Sequence, residues 1–95
     1  MHTVGLGDLA ATARALLAVP EARRGLLLRR LMDEADLADR YRRTRGRAHP
    51  VFGNGTLMSA ALARPQAGPI APGDTDYLAC LAQAIEGVLD RRGGG

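Results

Sequence analysis

Between Arg40 and Thr56 the chain reads RYRRTRGRAHPVFGNGT, and most of its chemistry-bearing side chains are gathered there. Arg40, Arg42, Arg43, Arg45 and Arg47 lead to His49, and Gly53 and Gly55 flank Asn54. A guanidinium is a planar fork of donors that matches phosphates and carboxylates. The cluster is therefore suited to a phosphate or to an acidic partner surface. An imidazole can serve as a general base or a metal ligand. Glycines ahead of a helix N-terminus can leave backbone N–H groups facing an anion. Arg40, Arg43, Arg45, Arg47, His49 and Asn54 are the candidate partner-binding residues. Each feature also has an ordinary structural explanation. The arginines fit a solvated helix end beside Asp33, Glu34, Asp36 and Asp39, and GNGT fits a turn followed by an N-cap.

Nothing else assembles into a catalytic set. GNGT lacks the spacing and the lysine of a phosphate-binding P-loop, and no strand precedes it. His2 is the only other histidine and lies at the chain end. Cys80 is the sole thiol, and its helical neighbours mark it as a small packed residue rather than a nucleophile. No catalytic residue, metal site or cofactor is expected.

The totals bound the rest. Ninety-five residues make one small domain, expected over residues 1–92 with a frayed glycine tail at 93–95. The chain is 46% hydrophobic, but mostly through Ala and Leu, and Tyr41, Phe52 and Tyr77 are its only aromatics. So short a chain buries a thin core, for which oligomerisation is one remedy. The formal net charge is +3, and all 13 Lys and Arg positions are arginine. A lone cysteine fits a reducing cytoplasm. The N-terminal stretch lacks a basic leader, and no apolar run approaches the roughly 18 residues of a membrane span. A cytoplasmic protein with no membrane partner is the expectation.

Four helices would position these groups. The first is expected from Asp8, as N-cap, to Val19. Leu6, Leu9, Ala10, Ala13, Leu16 and Leu17 would face inward, with Thr12, Arg14 and Ala15 outside. Pro20 would end it and open a second helix from Glu21 to about Arg45. That helix carries a stripe of Leu27, Leu28, Leu31, Ala35, Ala38 and Tyr41. Asp36–Arg40 and Asp39–Arg43 have the i,i+4 spacing of surface ion pairs. Gly46 is placed to end the helix. Thr56 would cap a short third helix from Leu57 to Ala63 or Arg64. The Pro/Gly-rich segment Pro65 to Gly73 is expected to be an extended, mobile linker. A last helix from Asp74 or Thr75 to about Arg91 would bury Leu78, Leu81, Ala82, Ile85, Val88 and Leu89. Gly87 would allow close approach of a neighbour. The expected class is all-α: a bundle of three long helices and one short, with an ordered polar loop between the second and third. In that loop Phe52 should be largely buried.

The pattern AxRYRxxxGRxHPxxGNGxLMxAALARP, from Ala38 to Pro65, together with ARALLAVPEARR from Ala13 to Arg24, resembles a family of short alphaproteobacterial proteins. These come mainly from the Rhodobacter-like group and are classed as a domain of unknown function. The resemblance covers most of the chain and implies a bacterial, cytoplasmic setting. It implies no activity, and it suggests that the GRAHPVFGNGT box is a family feature.

The leading expectation is a small non-enzymatic interaction or regulatory module, using the Arg-rich helix end and this loop on an acidic protein surface. The alternative is a nucleic-acid-binding protein using Arg40 to Arg47. Against it, the third helix (LMSAALAR) is too apolar to read bases.

Overall fold

The computed structural model describes residues 1–71 and 73–93. Four helices follow in order: α1 (Leu6–Leu17), α2 (Glu21–Arg45), α3 (Leu57–Leu62) and α4 (Thr75–Gly93). The described residues are 67% helix and include no strand, so this is a small all-α domain. Gly94 and Gly95, most of the expected tail, lie outside the described residues, and so does Pro72 of the linker.

α1 is the centre of the bundle. It packs against all three other helices, whereas α3 and α4 do not meet. That placement overturns the one-sided pattern expected for it. Ala11, Thr12, Ala13, Ala15 and Leu16 are all buried, Thr12 and Ala15 included. Leu6, in the first turn and beyond the reach of the neighbours, is 85% exposed. The helix also begins earlier than expected, because Gly5 is the N-cap and Asp8 occupies the third helical position. The Asp8 carboxylate still satisfies a free N–H, accepting from Gly5 at 2.9 Å. At the other end, the Arg24 Nε donates to the carbonyls of Leu16 and Val19 at 3.0 and 3.3 Å. The Leu16 carbonyl also accepts from the Val19 N–H at 3.1 Å.

α2 runs unbroken through the acidic stretch Asp33 to Asp36. Leu27, Leu28, Leu31, Ala35 and Ala38 are buried as expected, and Met32 joins them. Tyr41 is only partly buried.

α4 is rotated from the expected face. Cys80, Ala84 and Val88 are its buried residues, with Leu81 partly buried against the core. Leu78, Ile85 and Leu89 are exposed. The core shared by Leu16 and Leu31 therefore does not include Leu78 or Ile85. Small side chains explain the choice, since they let helix axes approach closely. A Cβ on Gly87 would stand 2.6 Å from Leu28 Cδ2. Turning the larger residues inward would push α4 away from α2.

The linker is anchored in its middle. Ala67 donates its N–H to the Arg14 carbonyl at 3.0 Å. Its own carbonyl accepts from the Arg14 guanidinium at 2.9 Å.

Candidate functional site

The loop after α2 is built outward from its backbone. Gly46 leaves the helix in the left-handed region, with φ 72°, and its N–H donates to the Arg42 carbonyl. His49 and Gly53 then exchange both backbone hydrogen bonds, at 2.7 and 3.1 Å, closing a tight turn through Pro50. Inside it, His49 Nδ1 accepts from the N–H groups of Val51 and Phe52 at 3.0 and 3.1 Å. A neutral ring that accepts at Nδ1 carries its hydrogen on Nε2. The Nδ1 lone pair is thus used within the turn and is not free to act as a base or bind a metal.

The ring of His49 also joins the aromatics. It stacks on Phe52 with centroids 4.9 Å apart and meets Tyr41 edge-on at 4.8 Å. The Arg45 guanidinium lies over the other part of this ladder, 5.8 Å from the Tyr41 centroid. Phe52 is partly buried. Its partner is the half-exposed His49 ring rather than the bundle core.

GNGT proves to be a folding device. Asn54 Oδ1 accepts from both the N–H and the hydroxyl of Thr56, at 3.0 and 2.8 Å. Thr56 Oγ1 in turn accepts from the Ser59 N–H at 3.0 Å, capping α3. Gly55 is buried with φ 94°, and a Cβ there would sit 2.7 Å from the Asp39 Cα. The loop backbone lies directly on α2 at this point. The place an anion would take at α3 is filled from within the chain: the Met58 N–H donates to the Asp8 carboxylate at 2.9 Å. Asp8 therefore serves the first turns of two helices, a role that sequence spacing did not reveal. Asn54, for its part, spends its side-chain oxygen on the fold.

The charges divide sharply. Asp33 and Asp36 bind Arg91 of α4, at 2.7 and 2.5 Å. Asp36 also pairs with the Met1 ammonium, in place of the expected Arg40. Glu34 pairs with Arg64. Asp39, buried, takes Arg43 at 3.0 Å and the Met1 ammonium at 3.4 Å. Burial works to raise the Asp36 carboxyl, but hydrogen bonds from Met1 and Arg91 outweigh it and hold it below its ordinary value. All five arginines from Arg40 to Arg47 are exposed. Arg40, Arg42, Arg45 and Arg47 have no carboxylate partner among the described residues. From Arg40 to Gly73 the sequence holds six arginines and no acid. The structure thus brings Arg40, Arg43, Arg45, Arg47, His49 and Asn54 to one end of the bundle, but gives Arg43, His49 and Asn54 internal hydrogen-bonding duties and sets Arg45 over Tyr41.

Elsewhere, Cys80 is buried, which pushes its thiol up from its ordinary value. Among the described residues no three His, Cys, Asp or Glu side chains are placed to hold a metal ion. No described helix is long and apolar enough to cross a membrane.

An all-α domain with an arginine-decorated, internally hydrogen-bonded loop is the class these features define. Residues 2–88 match the family described as Domain of unknown function (DUF7742), and the chain belongs to it. No curated protein gives a significant match, and neither does any solved structure.

Proposed function

We propose that the end of α2 and the loop behind it bind an acidic segment of a partner protein, as a non-enzymatic interaction module. The observation that carries this is the division of charge. Asp33, Glu34, Asp36 and Asp39 of α2 are paired within the chain, while Arg40, Arg42, Arg45 and Arg47 stand exposed without carboxylate partners among the described residues. Guanidinium groups held on an ordered scaffold lose less freedom on binding than groups on a mobile loop. A protein partner is favoured over nucleic acid for two reasons. Steps of about 100° per residue send Arg40, Arg42, Arg43 and Arg45 around the helix end rather than along one groove-tracking face. Tyr41, His49 and Phe52 are also engaged with one another rather than standing free to stack on bases.

Nucleic acid is the second reading, favoured by the acid-free run of 40–73 and a pI near 10.0. The setting belongs to the same proposal. The motif from Ala38 to Pro65 points to a bacterial origin, and a single buried thiol supports a reducing cytoplasm.

The test uses Arg42→Glu with Arg47→Glu, sparing Arg43 because it pairs with buried Asp39. Fluorescence polarisation would compare a labelled poly-glutamate peptide with duplex DNA, and a pull-down from cells would follow. Peptide binding that weakens with salt and is lost in the variant is the expected result, since exposed charges are screened within about 10 Å at 0.1 M. A variant that folds normally and recovers every wild-type partner would sink the proposal. Preference for DNA would establish the second reading.

A further inference from the structure

The rotation of α4 leaves an apolar stripe on its outer surface. Leu78, Ile85 and Leu89 are 48%, 40% and 62% exposed, and Ala82 between them is exposed too. At 3.6 residues per turn these four positions fall within an arc of roughly 60°. Along one border the stripe continues into a shallow hollow of about 160 Å³, where Val4 and Leu9 meet Ile85, Leu89 and Arg92. Isolated surface leucines need no explanation, but a row of them along one helix does.

We infer that this face pairs with the same face of a second copy of the chain, antiparallel, about a two-fold axis. The argument rests on how charge is placed around the stripe. Asp74 and Arg92 are eighteen residues apart in sequence, which is about five helical turns, so both lie on the same border at opposite ends. A two-fold axis crossing the stripe keeps that border on the same side and reverses its direction. Each Asp74 then comes beside Arg92 of the other copy. The same operation sets Leu78 opposite Leu89 and Ala82 opposite Ile85. On the other border Glu86 comes opposite Ala79, not opposite its own twin. The surface is thus complementary to itself, which is what an isologous interface requires. Both charged residues are exposed, and Arg92 has no carboxylate partner within the chain among the described residues. Opposed helix dipoles favour the same antiparallel arrangement.

One helix of 19 residues offers a small interface, about 28 Å long at 1.5 Å per residue. The dimer should therefore be concentration-dependent. Sedimentation equilibrium of the whole chain tests it: the mass should rise from 10.0 kDa toward twice that between micromolar and millimolar protein. Leu89→Glu, at an exposed position, should hold the protein monomeric with an unchanged circular dichroism spectrum. Arg92→Glu places like charges at both ends and should weaken dimerisation by roughly tenfold or more. Adding Asp74→Asn, which keeps the side-chain oxygen that caps Tyr77, should recover part of that loss. A wild-type monomer throughout the range would overturn the inference. So would a dimer indifferent to Leu89→Glu or to Arg92→Glu.

Discussion

The middle of α2 and its C-terminal end treat their charged residues in opposite ways. Toward its middle, Asp33, Glu34, Asp36 and Asp39 each find a cation brought by another segment: Arg91 from α4, Arg64 from beyond α3, and the Met1 ammonium. Toward its C-terminus Arg40, Arg42 and Arg45, with Arg47 just beyond the helix, have no carboxylate partner among the described residues, and only Arg43 pairs, with Asp39. Asp33, Glu34 and Asp36 are drawn into links with other segments of the chain. Arg40, Arg42, Arg45 and Arg47 stay exposed without a carboxylate partner among the described residues. If this contrast is right, substitutions in the middle should alter folding, and those at the C-terminal end should alter binding.

The largest effect should come where the loop rests on the acidic middle. Gly55 combines φ 94° with backbone of Asp39 at 2.7 Å from where a Cβ would be. Gly55→Ala should cost about 3 kcal/mol, from strain and from displacing the loop. Gly46, at φ 72° with open space around it, is the control. Alanine there should cost only about 1 kcal/mol for the left-handed conformation. Urea denaturation measures both. Equal losses would mean that the contact between loop and helix is not close.

Asp8→Ala should come next, at about 2 kcal/mol, because it leaves the N–H groups of Gly5 and Met58 without their acceptor. Its signature is local: hydrogen exchange at Met58 and in the first turn of α1 should accelerate more than in α4. Uniform acceleration would mean that Asp8 does not cap α3.

Asp36 gives the comparison a pH dependence. Its carboxyl is lowered in the folded chain relative to its ordinary value of 3.8. The unfolded state therefore takes up a proton first as pH falls. The stabilising contribution is complete above the unfolded value and is lost as pH drops through the lower, folded one. Wild-type stability should decline from about pH 5 downward. Asp36→Asn should be less stable near pH 7 and should decline less steeply in acid. Parallel curves for the two proteins would show that the pairing with Arg91 and Met1 contributes nothing.

Much of this arrangement was legible in the residues, and what was not has physical causes. Pro20, Gly46 and Thr56 mark helix ends by local chemistry, and the ends fell at or near the expected positions. The faces of α1 and α4 were misjudged because periodicity ranks residues by hydrophobicity. In this fold close approach selects small residues instead, so Ala84 is inside and Leu78 and Leu89 outside, while Cys80 and Val88 are buried as expected. Asp8 bridging to Met58 and Arg91 reaching Asp33 and Asp36 are separated by fifty residues or more. No local pattern encodes such partners. The box from Arg40 to Thr56 was visible as a unit, but spacing alone did not separate its folding residues, His49, Asn54 and Gly55, from its free arginines.

The smallest expected effect is the sharpest test of that separation. Arg42 and Arg47 are exposed, contact no carboxylate among the described residues, and take no part in the aromatic ladder. Arg42 does lie in the last turn of α2, where a cation favours the carbonyl ends by a few tenths of a kcal/mol, and glutamate there would oppose them by about as much. Removing two positive charges from a crowded cluster also relieves repulsion, which offsets that loss. Arg42→Glu with Arg47→Glu should thus leave stability within about 0.5 kcal/mol of wild type. The melting midpoint would measure this, and the same sample would then be used for the peptide titration. A large drop in stability would mean that these arginines hold the loop in place. The C-terminal end of α2 would then be scaffold like the rest, and the contrast with its middle would fail.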